Sequence, residues 1–413
     1  MPVPVFSGRV FFVQGSKMLR EEKMELHFSK RLDAMDAGIF ARLNEKKTEL
    51  VKKGRKVYNL SIGTPDFKPD PFVMKAVAEA AGKPENYKYA LIDLPELVSA
   101  MQNFYQRRFG VSLEADQIMS VYGSQEGFAH IAFAYCDPGD VVLLPNPGYP
   151  IWEVGPFLAG VKPCYYPLLE KNAYLPDLAA IPEETARAAR FMVVSYPLNP
   201  VCATAPDAFY DELIAWAKKY DVMIIHDNAY SDIVYDGAVG GSFLAHPGAQ
   251  EVGVEFYSLS KSFNYTGARM SFLLGNRQMV SQFRKLRSQI DYGIFLPVQY
   301  GAIAALNGPL DSTKRHCAEY QERRDALCGG LRSIGWNVPD SRGSMFAWGP
   351  IAPGYHTSEE FVLDLCEKTG VIVTPGLAFG SLGEGYVRFA LVLPPEEIRE
   401  MVRVIDASGM FRA

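Results

Sequence analysis

The stretch Ser258-Leu259-Ser260-Lys261-Ser262-Phe263-Asn264-Tyr265-Thr266-Gly267-Ala268-Arg269 holds one lysine among hydroxyls, aromatics and small residues. No other charge falls between that lysine and Arg269, eight positions on. A short run, Val254 to Tyr257, leads into it and reads as an apolar strand. A lysine in such surroundings is partly desolvated, which disfavours the ammonium form and makes the amine a better nucleophile. Covalent chemistry with an aldehyde needs such an amine. Ser258 and Arg269 flank it as a hydroxyl donor and a fixed cation, a pair suited to a phosphate. The competing reading is a solvated surface lysine beside a structural arginine, since most lysines are exposed.

Other residues in this sequence stand at comparable places. Gly123-Ser124-Gln125-Glu126-Gly127 separates a strand, Ile118 to Tyr122, from a helix read over Phe128 to Tyr135. A strand, a glycine turn and a helix form an anion seat, because free N–H groups and the helix dipole point at one spot. Tyr149 is held between Gly148 and Pro150, rigid enough to stack on a flat ring. Asn199-Pro200 follows the run Arg190 to Ser195, and His226-Asp227-Asn228-Ala229-Tyr230 follows Val222 to Ile225. Gly63, after the strand-like Tyr58 to Ile62, offers a bare backbone to a ligand. Taken singly, each has an ordinary reading as a connection or as packing. His226 either bonds the Asp227 carboxylate or simply packs within its strand, the plainer expectation. Phe346 and Trp348 either line a pocket or fill a core.

These residues need elements to position them. Helices are predicted over Phe28 to Gly54, Pro71 to Ala81, Glu96 to Phe109 and Asp207 to Tyr220, and strands over Val141 to Leu144 and Met270 to Leu274 besides those above. Strands alternating with helices from Ile118 to Asn276 predict an α/β fold, a mostly parallel sheet with helices on both faces. Ligands in such sheets sit beyond the strand ends. Residues 279–326 read as largely helical, and 327–413 as a mixed lobe with strands Met345 to Trp348, Val371 to Thr374 and Tyr386 to Leu391 and helices Ser358 to Lys368 and Pro395 to Ser408. The expected division is an N-terminal arm, 1–27, a large domain, 63–305, and a smaller α+β domain from 28–62 with 306–413.

A chain of 413 residues exceeds one ordinary core. Its 48% hydrophobic and 22% charged content is that of a soluble globular protein. A net charge of −5 without a basic run gives no reason to expect nucleic acid. The six cysteines form no CxxC pair and match no zinc spacing, so no metal is expected and reduced thiols in a cytoplasm are. No apolar run approaches 18 residues, so no membrane span is expected. Val10 to Val13 is too short for a signal peptide and lacks a cleavage site. Met18 and Met24 are alternative starts to Met1, since patterned sequence begins near Met24.

Together the strand-end residues match the needs of a pyridine ring bearing an aldehyde and a phosphate: a lysine, an anion, a hydroxyl donor, a flat group and an anion seat. The sequence resembles the class I/II aminotransferases, pyridoxal-5′-phosphate (PLP) enzymes of fold type I. The resemblance rests on Asn199-Pro200, Asp227-x-x-Tyr230, Ser258-x-x-Lys261 with Arg269, and Arg388, and its general run covers about Phe28 to Ser408. It is nearest to bacterial enzymes acting on LL-diaminopimelate, aspartate or alanine.

The resemblance implies that Lys261 carries the cofactor through its aldehyde and then serves as general base. It implies that Asp227 pairs with the ring nitrogen, that Tyr230 and Asn199 bond the ring hydroxyl, and that Tyr149 stacks on the ring. Gly123, Ser124, Gln125, Ser258 and Arg269 would hold the phosphate. Arg388, with Asn199 and the Gly63 backbone, would clamp the substrate carboxylate. A homodimer is implied, with a tyrosine reaching the partner's phosphate; Tyr87 and Tyr89 both qualify, and Tyr89 is preferred. The implied activity is ping-pong transamination between an L-amino acid (LL-diaminopimelate, alanine, glutamate or aspartate) and a 2-oxo acid. A PLP-dependent β-lyase or a catalytically silent PLP-binding regulator are the alternatives. A dicarboxylate-specific enzyme would want a second arginine; Arg20, Arg284, Arg287 and Arg342 are the candidates, and Asp291 to Phe295 contains none. Where the family often has glycine, Cys202 stands, which predicts a negative φ in that turn.

Overall fold

The computed structural model describes residues 24, 26–34 and 38–411. Met18 and Arg20, and all but a few residues of the arm expected over 1–27, lie outside the described residues. The chain divides into a short unit, Met1–Gly38, and a large one, Ile39–Ala413. In the short unit the described structure is a 3-10 turn, Lys30–Ala34. The long helix expected from Phe28 thus begins only at Gly38, running to Lys52. Gly54 at φ +71 ends the helix, as expected.

Strand β1 is Tyr58–Asn59. The main sheet follows, with β2 Ile118–Val121, β3 Val141–Asn146, β4 Lys162–Pro167, β5 Ala189–Val194, β6 Met223–Asp227, β7 Gly253–Ser258 and β8 Ser271–Gly275. The order is β2-β8-β7-β6-β5-β3-β4. Neighbours run parallel from β7 to β4, while β8 is antiparallel to both β7 and β2. The central strands are buried along most of their length because helices cover both faces of such sheets. The ends of β2, β3, β5, β6 and β7 therefore share one edge, where β8 begins. Ser271 of β8 pairs with Val121 on one side and Ser258 on the other. That register brings the turn after β2, the turn after β7 and Arg269 together.

Two parts of this sheet differ from the sequence reading. Helix Ile151–Ala159 and β4 were not expected. The helix is nine residues long and carries Pro156, and β4 holds two prolines. β4 is an edge strand, where a missing N–H costs no ladder bond. The helix expected from Phe128 starts at Ser124 instead. Gly127 reads as turn chemistry but lies inside the helix, where a glycine is required because a Cβ would collide with the Phe256 ring.

Three further helices, Arg277–Arg287, Leu296–Asn307 and Asp311–Ser333, lead to a second sheet. Its strands are β9 Phe346–Pro350, β11 Thr374–Pro375 and β12 Tyr386–Ala390, antiparallel in the order β11-β12-β9. Between them β10, Val371–Ile372, pairs in parallel with β1. Helices Ser358–Thr369 and Pro395–Ala407 complete this part. No helix among the described residues is long and apolar enough to cross a membrane.

Candidate active site

A cavity of about 160 Å³ opens at the shared strand edge. Lys261 reaches into it from the short helix Leu259–Ser262 after β7. Its Nζ donates to the Gly63 carbonyl at 2.8 Å, so the loop after β1 closes over the lysine. Burial, then the charges of Arg388 and Arg269, bring the ammonium down to about 8. This is the desolvated amine expected from the sequence.

Asp227 ends β6 and also lines the cavity. Its Oδ2 accepts from Trp152 Nε1 at 3.1 Å, and Oδ1 from the Ala229 N–H at 3.2 Å. Burial pushes it up to about 6, against the Trp152 bond, the His226 charge and the Ala229 bond. No cation pairs with it among the described residues. A cationic ring nitrogen would remove that penalty. Tyr230, three residues on, lies edge-on to Phe346 at 5.8 Å. Burial holds the Tyr230 phenol well above its usual range. Tyr149 lines the same wall and packs edge-on against Trp152.

The anion seat comes from the β2, β7 and β8 ends. Gly123 has φ +83, and a Cβ there would lie 2.3 Å from Arg269 Nη2. Only a bare backbone leaves the guanidinium in place. Ser124 and Gln125 form the first turn of the helix Ser124–Tyr135, where N–H groups lack helix partners. The Ser124 N–H donates to Ser271 Oγ at 3.1 Å, and Ser271 Oγ donates to Ser258 Oγ at 3.0 Å. Arg269 donates to the Thr266 carbonyl at 3.1 Å and meets no carboxylate among the described residues.

Arg388, on β12, enters from the second sheet. Its guanidinium lies between the Phe346 and Phe379 rings, at 4.1 and 4.6 Å. Nη1 donates to Asn199 Oδ1 at 2.8 Å and Nη2 to the Ser61 carbonyl at 3.2 Å, while Nε is buried without a partner. Burial lowers it to about 10. A buried guanidinium with an orphaned N–H and no carboxylate among the described residues fits an anionic ligand group.

The expected residues Gly63, Ser124, Gln125, Tyr149, Asn199, Asp227, Tyr230, Ser258, Lys261, Arg269 and Arg388 thus surround one space. Gly123 backs it through Arg269, and Tyr89 lies outside it, exposed. Of Phe346 and Trp348, Phe346 lines the cavity, while Trp348 is buried against Tyr386. Sequence reading missed Trp152, Ser195, Ser260 and Thr266. Trp152 sits on the helix the sequence did not reveal; the serines and the threonine carry no pattern of their own.

Two expectations are corrected. Cys202 has φ +63, so the left-handed turn persists without its glycine. Its N–H donates to the Leu198 carbonyl at 2.7 Å, and its own carbonyl accepts from the Arg342 and Gly343 N–H groups, bonds that hold the conformation. The run Val254 to Tyr257 is not wholly apolar, since Glu255 is buried within it. His226 packs within its strand, the plainer expectation, and bonds that Glu255 at 3.0 Å. Among the arginines, Arg284 donates to the Ile118 carbonyl and Arg287 pairs with Glu126 and Asp291, both in a separate hollow; Arg342 is exposed.

Residues 55–405 match the family model of aminotransferase class I and II. The chain belongs to the class I/II aminotransferases. LL-diaminopimelate aminotransferase from Dehalococcoides mccartyi is 40% identical over 377 residues, 91% of this chain and 97% of that one. The enzyme of the same name from Desulforudis audaxviator is 41% identical, covering 92% and 98%. Among solved structures, substrate-bound BacF from Bacillus subtilis matches at a TM-score of 0.89 and 33% identity, covering 93% and 98%. A probable N-succinyldiaminopimelate aminotransferase from Thermus thermophilus matches at 0.84 and 34%, covering 90% and 100%. This aminotransferase therefore has the type I fold and is a PLP-dependent transaminase.

Proposed function

We propose that this aminotransferase takes LL-diaminopimelate as amino donor and a 2-oxo acid as acceptor. The observation that carries the site assignment is one cavity holding Lys261, Asp227, Arg269 and Arg388, three cations against one carboxylate. That excess suits a phosphate and a substrate carboxylate together. Bound PLP supplies an electron-withdrawing ring that stabilises negative charge at the substrate Cα. Lys261 holds the cofactor and moves the proton at that carbon, a task suited to an amine titrating near 8. Asp227 keeps the ring nitrogen's proton. Tyr230 donates to the ring hydroxyl, joined by Asn199 Nδ2, since Asn199 Oδ1 is taken by Arg388. Tyr149 stacks on the ring. Gly123, Ser124, Gln125, Ser258 and Arg269 hold the phosphate, and Arg388 clamps the α-carboxylate while Gly63 closes the loop.

The relatives named for LL-diaminopimelate support the substrate. The cations in the cavity are committed to the cofactor and the near carboxylate, so the distal end falls to residues of a second subunit. We read the protein as a homodimer joined through exposed Tyr87, Tyr89, Leu91, Ile92, Tyr292 and Phe295. Tyr87 spends its hydroxyl on the Ala81 carbonyl, which favours Tyr89 as the one reaching the partner's phosphate. The pairing of β1 with β10 supports a smaller domain built from both ends of the chain around the larger one, residues 63–305. Six unpaired thiols support a cytoplasmic setting.

The test is the absorbance of the purified protein with single amino acids and no oxo acid. A visible band that bleaches fastest with LL-diaminopimelate supports the reading; a band bleached by alanine or aspartate alone refutes the substrate. Release of ammonia and a 2-oxo acid without an acceptor would indicate the β-lyase. Lys261→Ala should fold, lose the band and lose activity by several orders of magnitude.

A further inference from the structure

Trp152 lies on the helix Ile151–Ala159, three residues after Tyr149. Its indole is buried yet lines the cavity. Nε1 donates to Asp227 Oδ2 at 3.1 Å. The ring packs edge-on against Tyr149, centroids 6.1 Å apart, and lies 6.2 Å from Phe128. Phe128 belongs to the helix whose first turn carries Ser124 and Gln125. One side chain thus touches the aromatic over the ring, the carboxylate at its nitrogen and the helix of the anion seat. Among the described residues, Trp152 is the only side chain that hydrogen-bonds the Asp227 carboxylate; the other donor is the Ala229 N–H. His226, next in the chain, turns away to Glu255 and Tyr210.

We propose that Trp152 is the positioning residue that fixes the orientation and the ionised form of Asp227. An indole N–H only donates and does not titrate, so it stabilises the carboxylate, the stronger acceptor, more than the acid. Burial favours the acid here, as does the charge of Glu255 behind His226; the Trp152 bond is the first of the forces opposing burial. A neutral Asp227 would not hold a proton on the ring nitrogen.

This inference rests on the role proposed for Asp227, and the test separates the two. For Trp152→Phe, which keeps an aromatic ring and removes the donor, the PLP dissociation constant of the apoenzyme should rise about tenfold. The pH midpoint of the bound cofactor's visible band should move upward, since less positive charge stays at the ring nitrogen. Trp152→His returns a ring donor and should recover most of the affinity. If Asp227→Asn leaves affinity and midpoint as in the parent, the Asp227 reading falls and the Trp152 assignment with it. If Asp227→Asn moves both and a folded Trp152→Phe moves neither, the Trp152 assignment alone is overturned. One measurement needs no Trp152 variant. Of the four tryptophan indole N–H resonances in the holoenzyme, one should move upfield in Asp227→Asn; four unmoved signals overturn the assignment.

Discussion

Replacing Arg388 tests the proposed substrate clamp most directly. The guanidinium is fixed by Asn199 Oδ1 and the Ser61 carbonyl and sandwiched between two rings. Arg388→Lys keeps the charge but not the fork, so one charge-assisted bond to the substrate carboxylate goes. That costs about 3 kcal/mol, roughly 10²-fold in kcat/KM. Arg388→Gln also removes the charge, and about 4 kcal/mol, roughly 10³-fold, is expected. A second readout distinguishes the two. The Arg388 charge is, after burial, the next cause of the low Lys261 pKa. Arg388→Gln should therefore raise the Lys261 pKa above 8 in the apoenzyme, while Arg388→Lys should leave it in place. The pH dependence of apoenzyme recombination with PLP follows the free amine and reads this shift. Stopped-flow half-reactions with the amino donor give kcat/KM. An Arg388→Gln protein within tenfold of the parent, with an unmoved recombination profile, would refute the reasoning.

Gly123→Ala places a Cβ 2.3 Å from Arg269 Nη2 at a left-handed φ, so PLP affinity should fall at least tenfold while the secondary structure, read by circular dichroism, stays intact. Asp227 is raised to about 6 against an unfolded value near 3.8, so the folded apoenzyme binds its proton more tightly. Its contribution is present below about pH 4 and is lost as pH rises through 6; Asp227→Asn should stabilise the apoenzyme at pH 7 by about 3 kcal/mol while weakening PLP binding, checked by urea denaturation at pH 4 and 7. His226→Ala leaves Glu255 buried without its imidazole and should cost about 3 kcal/mol of stability, read by urea denaturation.

The strand ends were legible because glycine, proline and polar clusters interrupt short apolar runs, as at Gly123, Asn199 and Asp227. Lys261 was legible by its uncharged surroundings. Trp152 and β4 were not, because prolines at a sheet edge look like breaks until the neighbouring strand is known. Glu255 is satisfied by Tyr105, Ser242, the Phe243 N–H and His226, none of them adjacent in sequence, so a strand with a charge in it reads as apolar or not at all. Cys202 misled because glycine is the usual occupant of a left-handed turn, yet backbone bonds from Leu198 and residues 342–343 hold cysteine there. Lys261 and Asp227 come from the ends of neighbouring strands and Arg388 from the middle of a strand in the second sheet, so their meeting is a property of tertiary structure.

The pairing of Ser271 with both Val121 and Ser258 has a thermodynamic consequence. The proposed phosphate seat is assembled from segments 147 residues apart in sequence, and it needs β8 paired with both of its neighbours. A partly assembled sheet offers no such seat, so the cofactor acts as a ligand of the complete fold. At a hundredfold excess over its dissociation constant it should add about 2.7 kcal/mol to the stability of the whole chain. Vitamin supply would then govern how much of this protein survives in a cell, as well as how fast it turns over.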